Sequence, residues 1–157
     1  MKMPLEMLLT ISGVPVFTGW DGKYVCFISD LDICNDGTGP SHGDPSYQSQ
    51  TAYNPYLNAD VDDYIVTPPQ VRTGIPPVVL GCQGRVTNLW TRKWHWGVVG
   101  DVGPDYETGE CSYALAKKLN PNVGHNTGDD KLIYLYEFWP GVPAVVDGKT
   151  YKLQPAG

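Results

Sequence analysis

The stretch "KWHWGVVGD", residues 93–101, limits the possible folds more than any other segment. It is a short aromatic and β-branched run, and it stops at a Gly-Pro loop, so it reads as a strand. Alternation puts Trp94, Trp96 and Val98 on one face and His95, Gly97, Val99 and Asp101 on the other. The other apolar runs are equally short and are closed by turn residues. "TISGVPVFTGWDGKYVCFIS" predicts a hairpin on Asp21-Gly22, with strands at Val14 to Phe17 and Tyr24 to Ile28. "YIVTPP" predicts a strand stopped by Pro68-Pro69, and "PPVVLGCQGRVTNLW" a hairpin around Gln83-Gly84. "KLIYLYEFW" predicts another strand, and "PAVVDGKTYKL" a last hairpin on Asp147-Gly148. Only one segment has helical period: Cys111, Leu115 and Leu119, with Pro121 just beyond. With 18 Gly and 14 Pro in 157 residues and no linker, the expectation is one domain, residues 1–157. It is mainly β, a small barrel with one short helix and a long acidic loop.

The net charge of −6 and the pI near 4.8 leave no basic stripe for phosphates, which excludes nucleic acid as a partner. No run is long enough to span a membrane. The four cysteines, Cys26, Cys34, Cys82 and Cys111, contain no C-x-x-C pair, so neither zinc nor any other resident metal is expected. Disulfides and free thiols both remain open. The N-terminal "MKMPLEMLLTISG" is interrupted by Pro4 and Glu6 and makes a poor secretory signal. A monomer is expected.

Asp101 ends the strand, and Glu110 stands where the helix is predicted to begin. Cleaving a glycosidic bond with inversion needs two carboxyl groups roughly 6.5–9.5 Å apart, one to protonate the leaving oxygen and one to activate water. Gly103-Pro104 and Gly109 can fold the intervening loop back far enough for this. Burial should raise the pKa of Asp101, and the helix dipole should lower that of Glu110, which predicts Asp101 as acid and Glu110 as base. Both positions are also ordinary places for surface charges.

The pattern G-D-x-G-P-x-x-x-x-G-E-x-S, carried by Gly100, Asp101, Gly103, Pro104, Gly109, Glu110 and Ser112, resembles the signature of glycoside hydrolase family 75 chitosanases. The D-P-x-x-Q-x-x-T-A segment at Asp44, Pro45, Gln48, Thr51 and Ala52 is similar to that family's, as is "LNADVDDYIVTP". The matches keep their order across roughly residues 25 to 120. The resemblance implies an inverting endo-hydrolase of β-1,4-linked glucosamine, with Asp101 and Glu110 as the catalytic pair and no cofactor. "VVGDVGP" is similar to the aspartate loop of double-psi β-barrel enzymes, which implies a six-stranded barrel of that type and an acid role for Asp101.

On this reading Asp30, Asp32, Asp36 and Asp44 hold glucosamine ammonium groups, joined at the site by Gln48, Thr51, His95, Trp96 and Ser112. Calcium is the first rival for the aspartates, though their spacing does not fit an EF-hand loop, and turn-building is the second. Trp90, Trp94 and Trp96 are candidates for sugar stacking or for the core. Ser112 is a candidate helix cap or a guide for Glu110, while His42 and His125 carry no signal. The expected partner is therefore a polysaccharide, chitosan first, cut outside the cell. The alternatives are the glycan strands of peptidoglycan, cut by a lysin, and a sugar-binding module without activity.

Overall fold

The computed structural model describes residues 5–19, 21–38, 41–74 and 76–155. Residues 1–4 of the N-terminal stretch thus lie outside the description. The strands are β1 (Leu5–Ile11), β2 (Val14–Gly19), β3 (Val25–Cys34), β4 (Tyr64–Thr67), β5 (Cys82–Asn88), β6 (Trp94–Val102), β7 (Glu110–Ser112), β8 (Asp129–Pro143), β9 (Val145–Val146) and β10 (Lys149–Thr150). The helices are α1 (Pro69–Arg72) and α2 (Tyr113–Leu119).

Six strands pair in the order β3-β7-β4-β6-β5-β8, and β3 pairs again with β8, which closes a barrel. The predicted small six-stranded barrel is therefore present. The β3–β7 and β4–β6 pairs are parallel and the other four antiparallel. Exchanging β3, β4 and β5 for β6, β7 and β8 reproduces every one of these pairings, so the barrel has the pseudo-two-fold symmetry of two interlocked halves. The β1–β2 hairpin continues the sheet from the first half of β3.

Alternation builds the core. In β8, Tyr134, Tyr136 and Phe138 are fully buried while Ile133, Leu135 and Trp139 beside them are only partly buried, and Phe27 of β3 stacks on Tyr136 at 5.1 Å. Burying each such ring contributes about 2–3 kcal/mol. Strand pairing and one short glycine contact correct one expectation: Gln83-Gly84 is not a turn but the inside of β5. Gly84 lies opposite Gly97 of β6, and a Cβ on Gly84 would meet Ile65 Cδ1 at 2.6 Å. The glycine makes room for an interior side chain.

The helix also starts later than predicted. Glu110 and Cys111 belong to β7, and Ser112 is the N-cap, its Oγ accepting the Leu115 N–H at 3.3 Å. Leu115, Ala116 and Leu119 then seal the barrel. The single turn of α1, opened by Pro69, was not expected. β3 runs on to Cys34, so Asp30 and Asp32 lie on a strand and the loop spans only residues 35–63.

That loop is sewn to the barrel. Gly37 N–H reaches the Gln48 carbonyl at 3.0 Å, Ala59 N–H the Asp36 carbonyl at 3.1 Å, and Tyr53 N–H the Gly100 carbonyl at 3.1 Å. Gly37 has φ +81, and a Cβ there would lie 1.7 Å from the Leu57 carbonyl oxygen. Gly37→Ala should cost at least about 2 kcal/mol, a fall in Tm of roughly 4–8 °C by calorimetry. An unchanged Tm would mean that the loop is not held in this form.

Candidate active site

Register places the two predicted carboxylates. Val66 of β4 pairs with Asp101 of β6 on one side and with Glu110 of β7 on the other, and Glu110 pairs in turn with Asp32 of β3. Asp101, Val66, Glu110 and Asp32 thus form one row across four adjacent strands. Two inter-strand spacings, about 10 Å, separate the Asp101 and Glu110 backbones. The parallel β4–β6 register slips by one residue between Ile65 and Val66, at Gly100, which re-aims Asp101 relative to the residues before it.

The row floors a cleft of about 430 Å³. Asp36, Asp44, Ser46 and Gln48 of the long loop form one wall, and Gly103, Pro104 and Glu107 the other. No lysine, arginine or histidine lines it among the described residues. Between the carboxyls sits Cys34, two residues beyond Asp32 on β3. Its Sγ is 3.3 Å from Tyr64 Oη and 4.0 Å from Asp101 Oδ2, and the thiol offsets part of the rise in the Glu110 pKa. The thiol therefore acts on both carboxyls.

Both carboxyls hold protons unusually tightly. Asp101 is only 4% exposed, and burial, then a hydrogen bond with Asp36, raises its pKa to about 7. Amide N–H groups of Ala52 and Val102 donate to its Oδ1 at 2.9 and 3.0 Å and partly offset this. Burial, then the charge of Asp32, raises Glu110 to about 8. Here the expectation fails: Glu110 was placed in a helical first turn that would lower its pKa. It lies on a strand three residues before the helix, so the amides of the helix terminus do not reach it. Asp32 rises to about 6, chiefly by desolvation and then through Asp30, Glu107 and Asp130.

Asp32, Asp36, Asp44 and Gln48 meet at the cleft as predicted. The other five predicted residues are not among those lining this cleft. The partly buried Asp30 is one of these: its carbonyl accepts Tyr136 Oη–H at 2.6 Å, and its charge raises the pKa of Asp32. The buried Thr51 hydroxyl accepts Leu57 N–H and donates to the Tyr53 carbonyl, which shapes the loop. Ser112 is fully buried, accepting Tyr64 N–H and donating to the Asp62 carbonyl, so it holds β4 to the helix cap. His95 and Trp96 stand five to six residues back along β6, roughly 16–20 Å from Asp101. His95 meets Asp147 and Asp63 there, and Trp96 packs edge-on to Trp94 and Trp139 with Arg85 over the rings.

Cys34 and Glu107 were not anticipated at the site, nor was the charge of Asp130 acting on Asp32. The shared parity of Asp32 and Cys34 on β3 could have revealed the thiol. All four cysteines are free and buried, and burial pushes the Cys34 thiol far up, which keeps it protonated and makes it a poor metal ligand. Two other clusters gather metal-type ligands. His42 and His125 both reach Asp60, at 3.2 and 2.8 Å, but their rings stack in parallel at 3.6 Å, so the nitrogen lone pairs do not converge on one point. The Asp63–His95–Asp147 cluster already holds a cation, the Lys118 ammonium, 2.5 Å from Asp63.

Neither a scan of protein-family models nor a search of curated proteins finds a match for the chain. Among the described residues, no helix is long and apolar enough to cross a membrane.

Proposed function

We propose that the protein is an inverting glycoside hydrolase that cleaves a β-1,4-linked glucosamine polymer, chitosan, outside the cell. The observation that carries this is the register row, which sets Asp101 and Glu110 two strands apart on the floor of one acidic cleft. Backbones about 10 Å apart are compatible with the carboxyl separation of roughly 6.5–9.5 Å that inversion needs. The resemblance to the family 75 chitosanases points the same way.

The electrostatics favour a cationic sugar. An inverting pair needs one protonated and one ionised carboxyl, and in the empty cleft both hold protons near neutrality. An ammonium entering among Asp32, Asp36 and Asp44 lowers the pKa of Glu110 and frees it to act as base. A neutral sugar gives no such help. Asp101 Oδ2 then gives its proton to the glycosidic oxygen as the anomeric C–O bond breaks. Water attacks from the opposite face and passes its proton to Glu110.

The test is a substrate panel of chitosan, acetylated chitin oligomers and purified peptidoglycan. Reducing-end release is measured and the first-formed anomer followed by NMR. Release from chitosan with the α-anomer formed first is expected. Release from peptidoglycan alone would move the substrate to cell-wall glycan, and a β-anomer first would replace inversion by retention.

A further inference from the structure

Asp36 is expected from the sequence to touch the sugar, but its carboxyl is engaged within the protein. Its Oδ1 accepts the Gln48 N–H at 2.9 Å, while its carbonyl accepts Tyr64 Oη–H at 2.9 Å and Ala59 N–H at 3.1 Å. Side chain and backbone are thus both fixed. A carboxylate oxygen of Asp36 lies within 4.8 Å of one on Asp101 and of Cys34 Sγ. On Asp101, Oδ1 already accepts two amide N–H groups. A proton on that carboxyl therefore belongs on Oδ2, the oxygen left free to donate.

Two carboxylates this close, under a wall of buried Val66 and Tyr64, cannot both be ionised without a large cost. The remaining groups around them do not relieve it. Cys34 and Tyr64 are held neutral by burial, and Glu110, Asp32 and Asp44 are acidic.

We propose that Asp36 is a positioning residue that accepts a hydrogen bond from Asp101 Oδ2–H and so keeps one proton on that pair while the rest of the cleft ionises. This deepens the hydrolase reading and rests on it for its use. A cationic sugar would otherwise strip the proton from the acid as readily as from the base. With Asp36 beside it, Asp101 stays loaded while Glu110 empties. After Asp101 has given its proton to the leaving oxygen, the new charge next to Asp36 favours prompt reprotonation from water.

The experiment is a titration of the substrate-free protein carrying ¹³C in its aspartate carboxyls, followed by NMR, with Asp101 identified by loss of its signal in Asp101→Asn. In the wild type the Asp36 and Asp101 signals are expected to respond together over one pH range. In Asp36→Asn the Asp101 midpoint should fall by about one unit or more, a tenfold weaker hold on the proton, and Asp36→Glu should restore part of it. Independent single-step curves in the wild type, or an Asp101 midpoint in Asp36→Asn within about 0.3 units of the wild-type value, would overturn the proposal. The wild-type curves suffice if Asp36→Asn does not fold. The readout uses no sugar, so a coupled titration in a protein that cleaves no glycan removes the hydrolase reading alone. Glycan cleavage with uncoupled titration removes this inference alone.

Discussion

Glu110→Gln should abolish hydrolysis and, at pH 8, make the protein more stable. In the proposed reaction, the loss follows from removing one of two groups that must exchange protons with the reacting atoms. A fall in kcat/KM of about a thousandfold or more is expected for it and for Asp101→Asn. The gain follows from burial. A carboxyl lifted from 4.5 to about 8 destabilises the fold wherever it must ionise, and the glutamine carries no charge. Allowing about 1–2 kcal/mol after solvent screening, Tm should rise by roughly 2–8 °C at pH 8 and barely change at pH 4. Asp101→Asn should gain less, because two amide donors already support that carboxylate. Near-normal turnover in either variant would remove that residue from the chemistry. A lower Tm for Glu110→Gln at pH 8 would contradict the burial argument.

The wild type should be most stable in mild acid. Asp32, Asp101 and Glu110 all have pKa values raised in the fold, to about 6, 7 and 8. A raised carboxyl binds protons more tightly folded than unfolded, so its stabilisation is complete below the unfolded pKa and is lost as pH rises through the folded one. Asp60 and Asp129 are lowered, by hydrogen bonds from the two histidines and from Tyr134, and their contribution is lost only as the solution becomes strongly acidic. The two trends place the maximum near about pH 4–5, with Tm falling by on the order of 5–10 °C between there and pH 8. Scanning calorimetry across that range checks it, and a Tm that is flat or rises toward pH 8 would refute it.

Much of this was legible in the chain. Turn residues and short alternating runs identified β2, β4, β6, β8 and the last hairpin, because a two-residue period survives in the sequence when one face of a strand is buried. Gly84 misled for a physical reason: a glycine that makes room for Ile65 looks the same in sequence as one that turns the chain. Asp101 and Glu110 could be paired in the sequence because their spacing resembles a family signature. The place of Cys34 beside Asp32 shows in their shared parity, but its nearness to Glu110 depends on β3 lying parallel to β7, a pairing across 78 positions of the chain that no local pattern encodes. The slip at Gly100 separated His95 from Asp101 in the same way: equal parity implies a shared face only while the register is continuous.

The pseudo-symmetry of the barrel bears on how the molecule is made. No strand of the half β3, β4, β5 pairs with another of its own half, and the same holds for β6, β7, β8. As the chain emerges, its first half has no barrel partners to pair with and must wait for the second. Closure then demands long-range pairings all at once, the kind of topology that folds slowly and in a single cooperative step. Asp32, Cys34 and Asp36 come from the early half and Asp101 and Glu110 from the late one. The acidic cleft therefore comes into being only with the last strand, and a chain cut anywhere between β4 and β7 should yield neither a stable half nor a partial site.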